Sequence, residues 1–175
     1  NFLKTFSLKN KIAVITGGSG MLGVQHAEAI AEVEGTPILF DIKENNIAIK
    51  KINEEYGVES FFFEGDVTCE KDINDLVAKI TSDKKKIDIL INNAALNPDP
   101  ALDNAEKQNS LKRFESFKEK EWQQEINVGL TGAFKFSKII GNEMAKNGGG
   151  VILNISSDLG IIGPDQRLYQ IPNLQ

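Results

Sequence analysis

Lys11–Gly23, with the sequence KIAVITGGSGMLG, decides the fold of this chain. Its residues 12–15 form a short apolar run rich in β-branched side chains, which predicts a strand buried on both faces of a parallel sheet. The glycine-rich residues 16–20 end that strand, and apolar side chains at helical spacing follow from Leu22. A strand, a glycine turn and a helix in this order are typical of a phosphate-binding turn, because glycine lets the backbone approach an anion at the helix N-terminus. A plain structural turn remains the alternative at this point.

Composition narrows the class of protein. The 175 residues suit a single domain, and 41% hydrophobic with 26% charged residues is typical of an ordinary globular chain. The net charge of −5 argues against a nucleic-acid surface. Cys69 is the only cysteine, so no intrachain disulfide and no thiol metal site are expected. No apolar run is long enough to span a membrane, and we expect a cytoplasmic protein without a resident metal.

Outward from the glycine turn, apolar runs alternate with segments of helical periodicity. Further strands are predicted at 38–40, 61–63, 87–91 and 151–155. Helices are predicted at 44–56, from the N-cap Thr68 up to residue 80, and at 117–146. This alternation predicts parallel pairing, and hence a doubly wound parallel sheet, the three-layer α/β/α Rossmann fold. The polar residues 97–112 are either a functional lid or a surface insertion.

In such sheets ligands bind beyond the carboxyl ends of the strands. Asp41 ends the second predicted strand, where a carboxylate accepts hydrogen bonds from an adenosine ribose and repels a 2′-phosphate. Its presence therefore favours NAD, although nearby Lys43 could weaken that preference. The alternative for Asp41 is the N-cap of the next helix.

Several motifs in this order resemble the short-chain dehydrogenase/reductase family over nearly the whole chain. Besides the glycine turn, they are Asp66-Val67-Thr68, Asn92-Asn93-Ala94-Ala95, Asn127 within INVGLTGAF, and Asn154-Ile155-Ser156-Ser157. The resemblance implies an NAD-binding set of Gly17, Ser19, Gly20, Met21, Leu22, Gly23, Asp41, Ile42, Asp66, Val67, Asn93, Ala94 and Ala95.

The resemblance also implies roles for individual residues. Asp66 and Val67 would flank the adenine, and Asn93 to Ala95 would line the central part of the cofactor. Asn127 would kink the long helix and hold a water in a proton relay, and Ser157 would hydrogen-bond the substrate carbonyl or hydroxyl. From the residues alone, Asn127 is a polar residue within a helix that needs a partner, and Ser157 follows a strand end.

The chain departs from the family pattern in three places. The spacing TGxxGxxG is that of the family's sugar-nucleotide branch, and Ala95 replaces a glycine. The family's acid/base is a Tyr followed four residues later by Lys, whereas Tyr169 is followed there by Asn173. We therefore interpret Tyr169 as a loop residue, and expect one domain over 1–175 that is incomplete at its carboxyl end, with the catalytic Tyr and Lys beyond it.

The resulting hypothesis is an NAD-dependent oxidoreductase that transfers a hydride to or from a hydroxyl or carbonyl of a small polar substrate. By the resemblance it would be a homo-oligomer, a dimer or tetramer, with no nucleic-acid or membrane partner. Two alternatives stay open: a sugar-nucleotide epimerase or dehydratase with bound NAD, favoured by the glycine spacing, and a non-catalytic nucleotide-binding module.

Overall fold

Five parallel strands form one sheet at the centre of the molecule. The computed structural model describes residues 5–82, 85–96, 117–163 and 165. The strands are β1 (Ile12–Thr16), β2 (Thr36–Asp41), β3 (Phe61–Glu64), β4 (Ile89–Asn92) and β5 (Val151–Asn154). Their order in the sheet is β3-β2-β1-β4-β5, and every neighbouring pair is parallel. The chain thus adds β2 and β3 in turn on one side of β1. It then crosses to the other side of β1, where β4 and β5 follow.

Helices cover both faces of this sheet. They are α1 (Met21–Glu32), α2 (Asn46–Tyr56), α3 (Glu70–Ser82), α4 (Glu119–Glu125), a π-helical segment (Ile126–Gly132) and α5 (Ala133–Lys146). Consecutive residues of β1 serve opposite faces, as the two-residue period of a strand requires. Val14 packs in a core with Ile73 of α3 and Phe136 of α5, whereas Ile15 packs in a second core with Ala27 of α1. The predicted three-layer α/β/α fold is confirmed.

The helix boundaries depend on caps that the sequence pattern indicated only in part. Helix α2 begins after Asn45, whose side chain accepts a hydrogen bond from the Ala48 N–H, and ends at Gly57 in the left-handed conformation. Helix α3 begins at Glu70, so Thr68 is not its N-cap; the Thr68 hydroxyl instead lies 2.8 Å from Asp66 Oδ1. The predicted helix start at 44 and the predicted N-cap at 68 were therefore too early.

The long helix predicted over 117–146 begins at Glu119 and is continuous, but it is not α-helical throughout. Its middle, Ile126–Gly132, is a π-helix, and Asn127 lies within this segment. A π segment inside an α-helix adds a residue to the turn and is frequent at functional sites. The distortion that the family resemblance implied at Asn127 therefore has a counterpart in the backbone.

Strand β5 forms one edge of the described sheet. Val151, Leu153 and Ile155 are 61%, 47% and 38% exposed, respectively. The side chain of Ile152, which is 37% exposed, lies close to Gly141 of α5. The predicted polar loop at 97–112 and Tyr169 lie outside the described residues.

A partly buried ion pair joins the start of β1 to the residue before β4. Asp88 is 7% exposed, and its carboxylate accepts hydrogen bonds from Lys11 Nζ at 2.9 Å and from the Ile12 N–H at 3.1 Å. Burial by itself raises the pKa of this carboxyl, but those two hydrogen bonds and the charges of Lys11 and Lys86 together outweigh it. The pKa of Asp88 therefore lies below its ordinary value.

We expect Asp88→Asn to reduce the free energy of unfolding by about 2 kcal/mol at pH 7, because a buried acceptor of two hydrogen bonds loses its charge. The folded-state pKa lies below the unfolded value of about 3.9, so the stabilisation is present above that pH and disappears as pH falls through the folded value. Urea denaturation at pH 3 and pH 7 measures this. A difference that stays constant across this pH range would contradict it.

The matched control is Glu54→Gln. Glu54 is paired with Lys50 at 3.8 Å on the solvent face of α2, where both side chains are mostly exposed. Its removal should cost less than about 0.5 kcal/mol, as is usual for exposed pairs.

Candidate functional site

The glycine turn between β1 and α1 has a geometry that only glycine permits. Gly17 adopts a φ of +62°, in the left-handed region that L side chains rarely adopt. Gly23, in the first turn of α1, lies directly against this turn: a Cβ there would stand 2.1 Å from the Gly17 carbonyl oxygen. The Gly18 N–H donates to the Phe40 carbonyl at 3.2 Å, which fastens the turn to β2.

The N-terminus of α1 has a glycine at its N-cap position. This residue, Gly20, has no side chain to accept from the first N–H groups, and the first turn of α1 contains no acidic residue. By contrast, the first turn of α3 contains Glu70 and Asp72. The first N–H groups of a helix have no acceptor within it, and the helix dipole makes that end positive. The end of α1 beside the glycine turn is therefore open to an anion.

Asp41, the last residue of β2, lies against the glycine turn. Its Oδ2 accepts from the Ser19 N–H at 3.1 Å, and its Oδ1 from the Lys43 N–H at 3.3 Å. The alternative role of Asp41 as N-cap of α2 is wrong, because Asn45 is that cap. Asn45 also donates from Nδ2 to the Ser19 carbonyl at 3.2 Å. The two residues thus hold both polar groups of the Ser19 backbone.

Asn45 and Thr16 are site residues that the sequence analysis missed. Asn45 has a signal, since an Asn before a helical pattern predicts a cap, but its bond to Ser19 required the folded chain. Thr16 is a buried polar residue at the end of an apolar strand. Its Oγ1 accepts from the Asn93 N–H at 3.0 Å and from the Ala94 N–H at 3.1 Å, so it joins β1 to the end of β4.

Asn93 braces the glycine turn from the other side. Its Nδ2 donates to the carbonyls of Thr16 at 3.0 Å and Gly17 at 3.2 Å. Ala94 lies so close that a Cβ on Gly17 would stand 2.9 Å from its Cα, and Ala95 beyond it is exposed. In this structure the side-chain donors of Asn93 therefore hold the turn, and the surface beside it is formed by the two alanines.

Asp66 and Val67 lie at the end of β3 and differ in exposure. Asp66 is exposed, and its Oδ1 accepts from the N–H and hydroxyl of Thr68. Its own N–H donates to Asp72 Oδ2 at 2.9 Å, and this bond lowers the pKa of the Asp72 carboxyl. Val67 is 8% exposed and packs near Gly132 of the π segment. Asp66 is thus accessible at this edge, whereas Val67 presents little surface.

The two predicted catalytic residues lie on separate elements. Asn127 accepts from Gln123 Nε2 at 3.0 Å through its Oδ1. Ser157 is exposed, and its hydroxyl accepts from the Leu159 N–H and donates to Asp158 Oδ1, both at 3.2 Å. Within the described part of the chain, no hydrogen bond joins Asn127 to Ser157. Their roles stay predictions.

Hydrogen bonds of the buried Asn92 fix the strand end that leads to Ser157. Asn92, 6% exposed, donates from Nδ2 to Asn154 Oδ1 at 2.7 Å and to Ser137 Oγ at 2.9 Å. The carbonyl of Asn92 also accepts from the Ile155 N–H at 2.9 Å. The end of β5 is thereby held to β4 and to α5, which sets where the segment containing Ser157 begins.

The remaining predicted positions lie on the rim of the glycine turn. Met21, Leu22 and Ile42 are 80%, 52% and 69% exposed, respectively. In the described ranges, no group of three or more His, Cys, Asp and Glu residues could hold a metal ion. Nor do those ranges contain a helix with the length and apolarity that a bilayer crossing requires.

Sequence comparison identifies one family and several relatives of known name. The sequence profile described as short chain dehydrogenase matches residues 11–169. The NAD-dependent glycerol dehydrogenase of Listeria innocua is 32% identical over 168 residues, which cover 95% of this chain and 60% of the relative. The 3-oxoacyl-(acyl-carrier-protein) reductase of Staphylococcus epidermidis is 29% identical, over 91% of this chain and 62% of its own.

Solved structures show the same fold. An NAD+-bound xylitol dehydrogenase superposes with a TM-score of 0.74 at 26% identity, covering 92% of this chain and 58% of that one. A short-chain type dehydrogenase/reductase from Mycobacterium marinum superposes with a TM-score of 0.80 at 23% identity, covering 94% of this chain and 62% of that one, and supports the fold alone. The chain spans 54–61% of the length of three curated relatives.

The close approach of Gly23 to the turn makes a stability prediction. We expect Gly23→Ala to lower the free energy of unfolding by about 2–3 kcal/mol, because the new methyl group must displace the Gly17 carbonyl or the whole helix. Gly129 is the matched control: it is also helical, and a Cβ there would meet no atom within 4 Å. Gly129→Ala should stabilise by about 0.5–1 kcal/mol. Equal unfolding midpoints in urea for both variants would refute this packing.

Proposed function

The chain belongs to the short chain dehydrogenase family, and we propose that it binds NAD as part of an oxidoreductase acting on a hydroxyl or carbonyl group of a small polar substrate. The observation that carries the proposal is the Asp41 carboxylate, which lies against the glycine turn at the uncapped end of α1. An acceptor for ribose hydroxyls and a site for a pyrophosphate are thus adjacent.

The residues present fit a dinucleotide. The pyrophosphate would lie against the first N–H groups of α1, where the N-cap residue Gly20 has no side chain to compete for them. The ribose hydroxyls would donate to Asp41, in place of or beside the Ser19 N–H that it now accepts from. A 2′-phosphate would stand beside this carboxylate, and like charges repel.

Lys43 does not neutralise that carboxylate in the structure. Its backbone N–H, and no side-chain group, contacts Asp41. The glycerol dehydrogenase from Listeria innocua is named as NAD-dependent, and the xylitol dehydrogenase structure is described as NAD+-bound. These names support NAD over NADP. Glycerol and xylitol are both polyols, so the names also support a small hydroxylated substrate.

When bound, the nicotinamide supplies or accepts the hydride, and the protein orients the reactants and moves the proton. Ser157 would turn its hydroxyl from Asp158 to the substrate oxygen and donate a hydrogen bond there. Asn127 would hold a water through its side-chain amide. Asn127 lies within the π segment, and such segments are frequent at functional sites.

Cofactor preference tests the role of Asp41. We expect NAD to bind more tightly than NADP, and Asp41→Ala to narrow the ratio of the two dissociation constants by about tenfold or more, since it removes both the charged acceptor and the repulsion. Calorimetric titration of both cofactors measures this. Glu44→Gln, which changes a nearby exposed carboxylate, should leave the ratio unchanged. Equal or tighter binding of NADP by the unaltered protein would refute the proposal.

Turnover tests the role of Ser157. In the active protein, Ser157→Ala should lower kcat about a hundredfold, because one hydrogen bond to a developing oxyanion is worth on the order of 3 kcal/mol. The dissociation constant for NAD should change by less than about twofold, since no part of the NAD site is altered. Ser156→Ala is the control. Near-normal turnover in the Ser157 variant would transfer the role to Ser156 or remove it.

A further inference from the structure

A cavity lies at the amino ends of the strands, opposite the carboxyl ends where the glycine turn lies. It has a volume of about 560 Å³ and lies beneath the last turns of α3, at the amino ends of β1, β2 and β3. Ile12, Thr36 and Phe61, the first residues of these strands, all line it. A volume of this size is within the range of small-molecule sites. The NAD site proposed above uses the carboxyl ends of the same strands and leaves this cavity free.

The walls of the cavity are apolar. Ile12 and Ile38 of the sheet and Leu76 and Ile80 of α3 belong to the buried core on this face. The cavity therefore borders the core between α3 and the sheet, and an apolar group bound there would contact these side chains and lose part of its exposure to water.

Two aromatic rings of the edge strand form the outer wall. Phe61 is 41% exposed, and Phe63 packs at the border of the core. Both project to the α3 side of the sheet, because residues two apart on a strand share a face. These rings on the edge strand form a partly solvent-exposed apolar surface against which an apolar group can pack.

The rim of the cavity is basic, although the chain as a whole has a net charge of −5. Of the described residues, Lys79, Lys85 and Lys86 line it, together with one carboxylate, that of Glu59. Lys86 is paired with Asp88 at 3.4 Å. Lys79 and Lys85 have no carboxylate partner within 4.0 Å among the residues that the structure describes. Their ammonium groups instead lie over the rings of Phe63 and Phe61, at 5.5 and 5.8 Å from the ring centroids.

We propose that this cavity binds a small amphiphilic carboxylate, such as a medium-chain fatty acid. Its alkyl chain lies between Phe63, Leu76 and Ile80, and its carboxylate pairs with Lys79 and Lys85. Charge complementarity selects this class: an apolar cavity with two lysines at its mouth, neither paired with a carboxylate of the described residues, matches a molecule with an apolar tail and one anionic head. A neutral amphiphile of the same length gains only the apolar burial.

The direct test is methyl NMR of the chain labelled at isoleucine δ1-methyl groups and titrated with sodium octanoate. The resonances of Ile12, Ile38 and Ile80 should shift, whereas that of Ile140, in the same core beside α5, should stay in place. 1-Octanol and acetate are the comparison ligands, and they separate the contribution of the tail from that of the head. We expect octanoate to bind at least about fivefold more tightly than octanol, and acetate not to shift these methyls.

A pair of charge variants identifies the cations. The double variant Lys79→Gln/Lys85→Gln should weaken octanoate binding about five- to tenfold and change octanol binding less than about twofold. The control double variant Lys50→Gln/Lys138→Gln removes the same charge from exposed positions elsewhere. It should leave the affinities for octanoate and for octanol unchanged. Thermal unfolding of each variant verifies that it is folded. High salt should weaken octanoate selectively, because it screens exposed charges.

Each contrary outcome overturns the proposal. Equal affinity for octanoate and octanol would show that the lysines only cover apolar surface. An equal loss in both double variants would show an effect of total charge. Shifts confined to Ile140 or to isoleucines of α1 and α2 would place the ligand elsewhere, and the absence of any shift at millimolar octanoate would show that the cavity does not take this class.

Discussion

The hydrogen bonds between Thr16 and Asn93 are the constraint on which the rest of the structure depends. β1 and β4 are neighbours in the sheet but lie far apart in the chain, and their connections leave in opposite directions. The Thr16 hydroxyl accepts from the Asn93 and Ala94 N–H groups, and the Asn93 amide donates to the Thr16 and Gly17 carbonyls. A crevice forms where the connections diverge, as it does at the switch point of other doubly wound sheets. These bonds hold the glycine turn at that crevice.

The two edges of the sheet consequently have different chemistry. At the carboxyl ends, the open N-terminus of α1 and the Asp41 carboxylate place a positive backbone end beside a negative side chain, which suits a ligand with phosphates and hydroxyls. At the amino ends, the Lys11–Asp88 pair joins the start of β1 to the residue before β4. An apolar cavity with a basic rim lies at the amino ends of β1, β2 and β3. The two proposed sites therefore use opposite ends of the same strands and share no side chain.

Long-range contacts explain why parts of this site were not predictable from the chain. The positions of Asp41 and of the Asn92–Ala95 segment could be predicted, because apolar runs show where strands end and parallel strands end at a common edge. The role of Asn93 could not, since its side chain reaches residues 76 and 77 positions away in the chain. Asn45 was missed for the same reason: the helix cap is a local feature, but its bond to Ser19 depends on β1 and β2 pairing.

The sequence by itself determined the fold class and the family, and it placed the glycine turn after the first strand and the acidic residue at the end of the second. This was possible because hydrophobic periodicity and glycine placement act locally along the chain. Tertiary structure alone decided which groups are free. It made Asn45 and not Asp41 the cap of α2, engaged both donors of Asn93 in the turn, placed a π segment around Asn127, and left Lys79 and Lys85 over phenylalanine rings. The physical reason is that a polar group's partner is set by what folding brings within about 3 Å, and that distance has no signature in the spacing of residues.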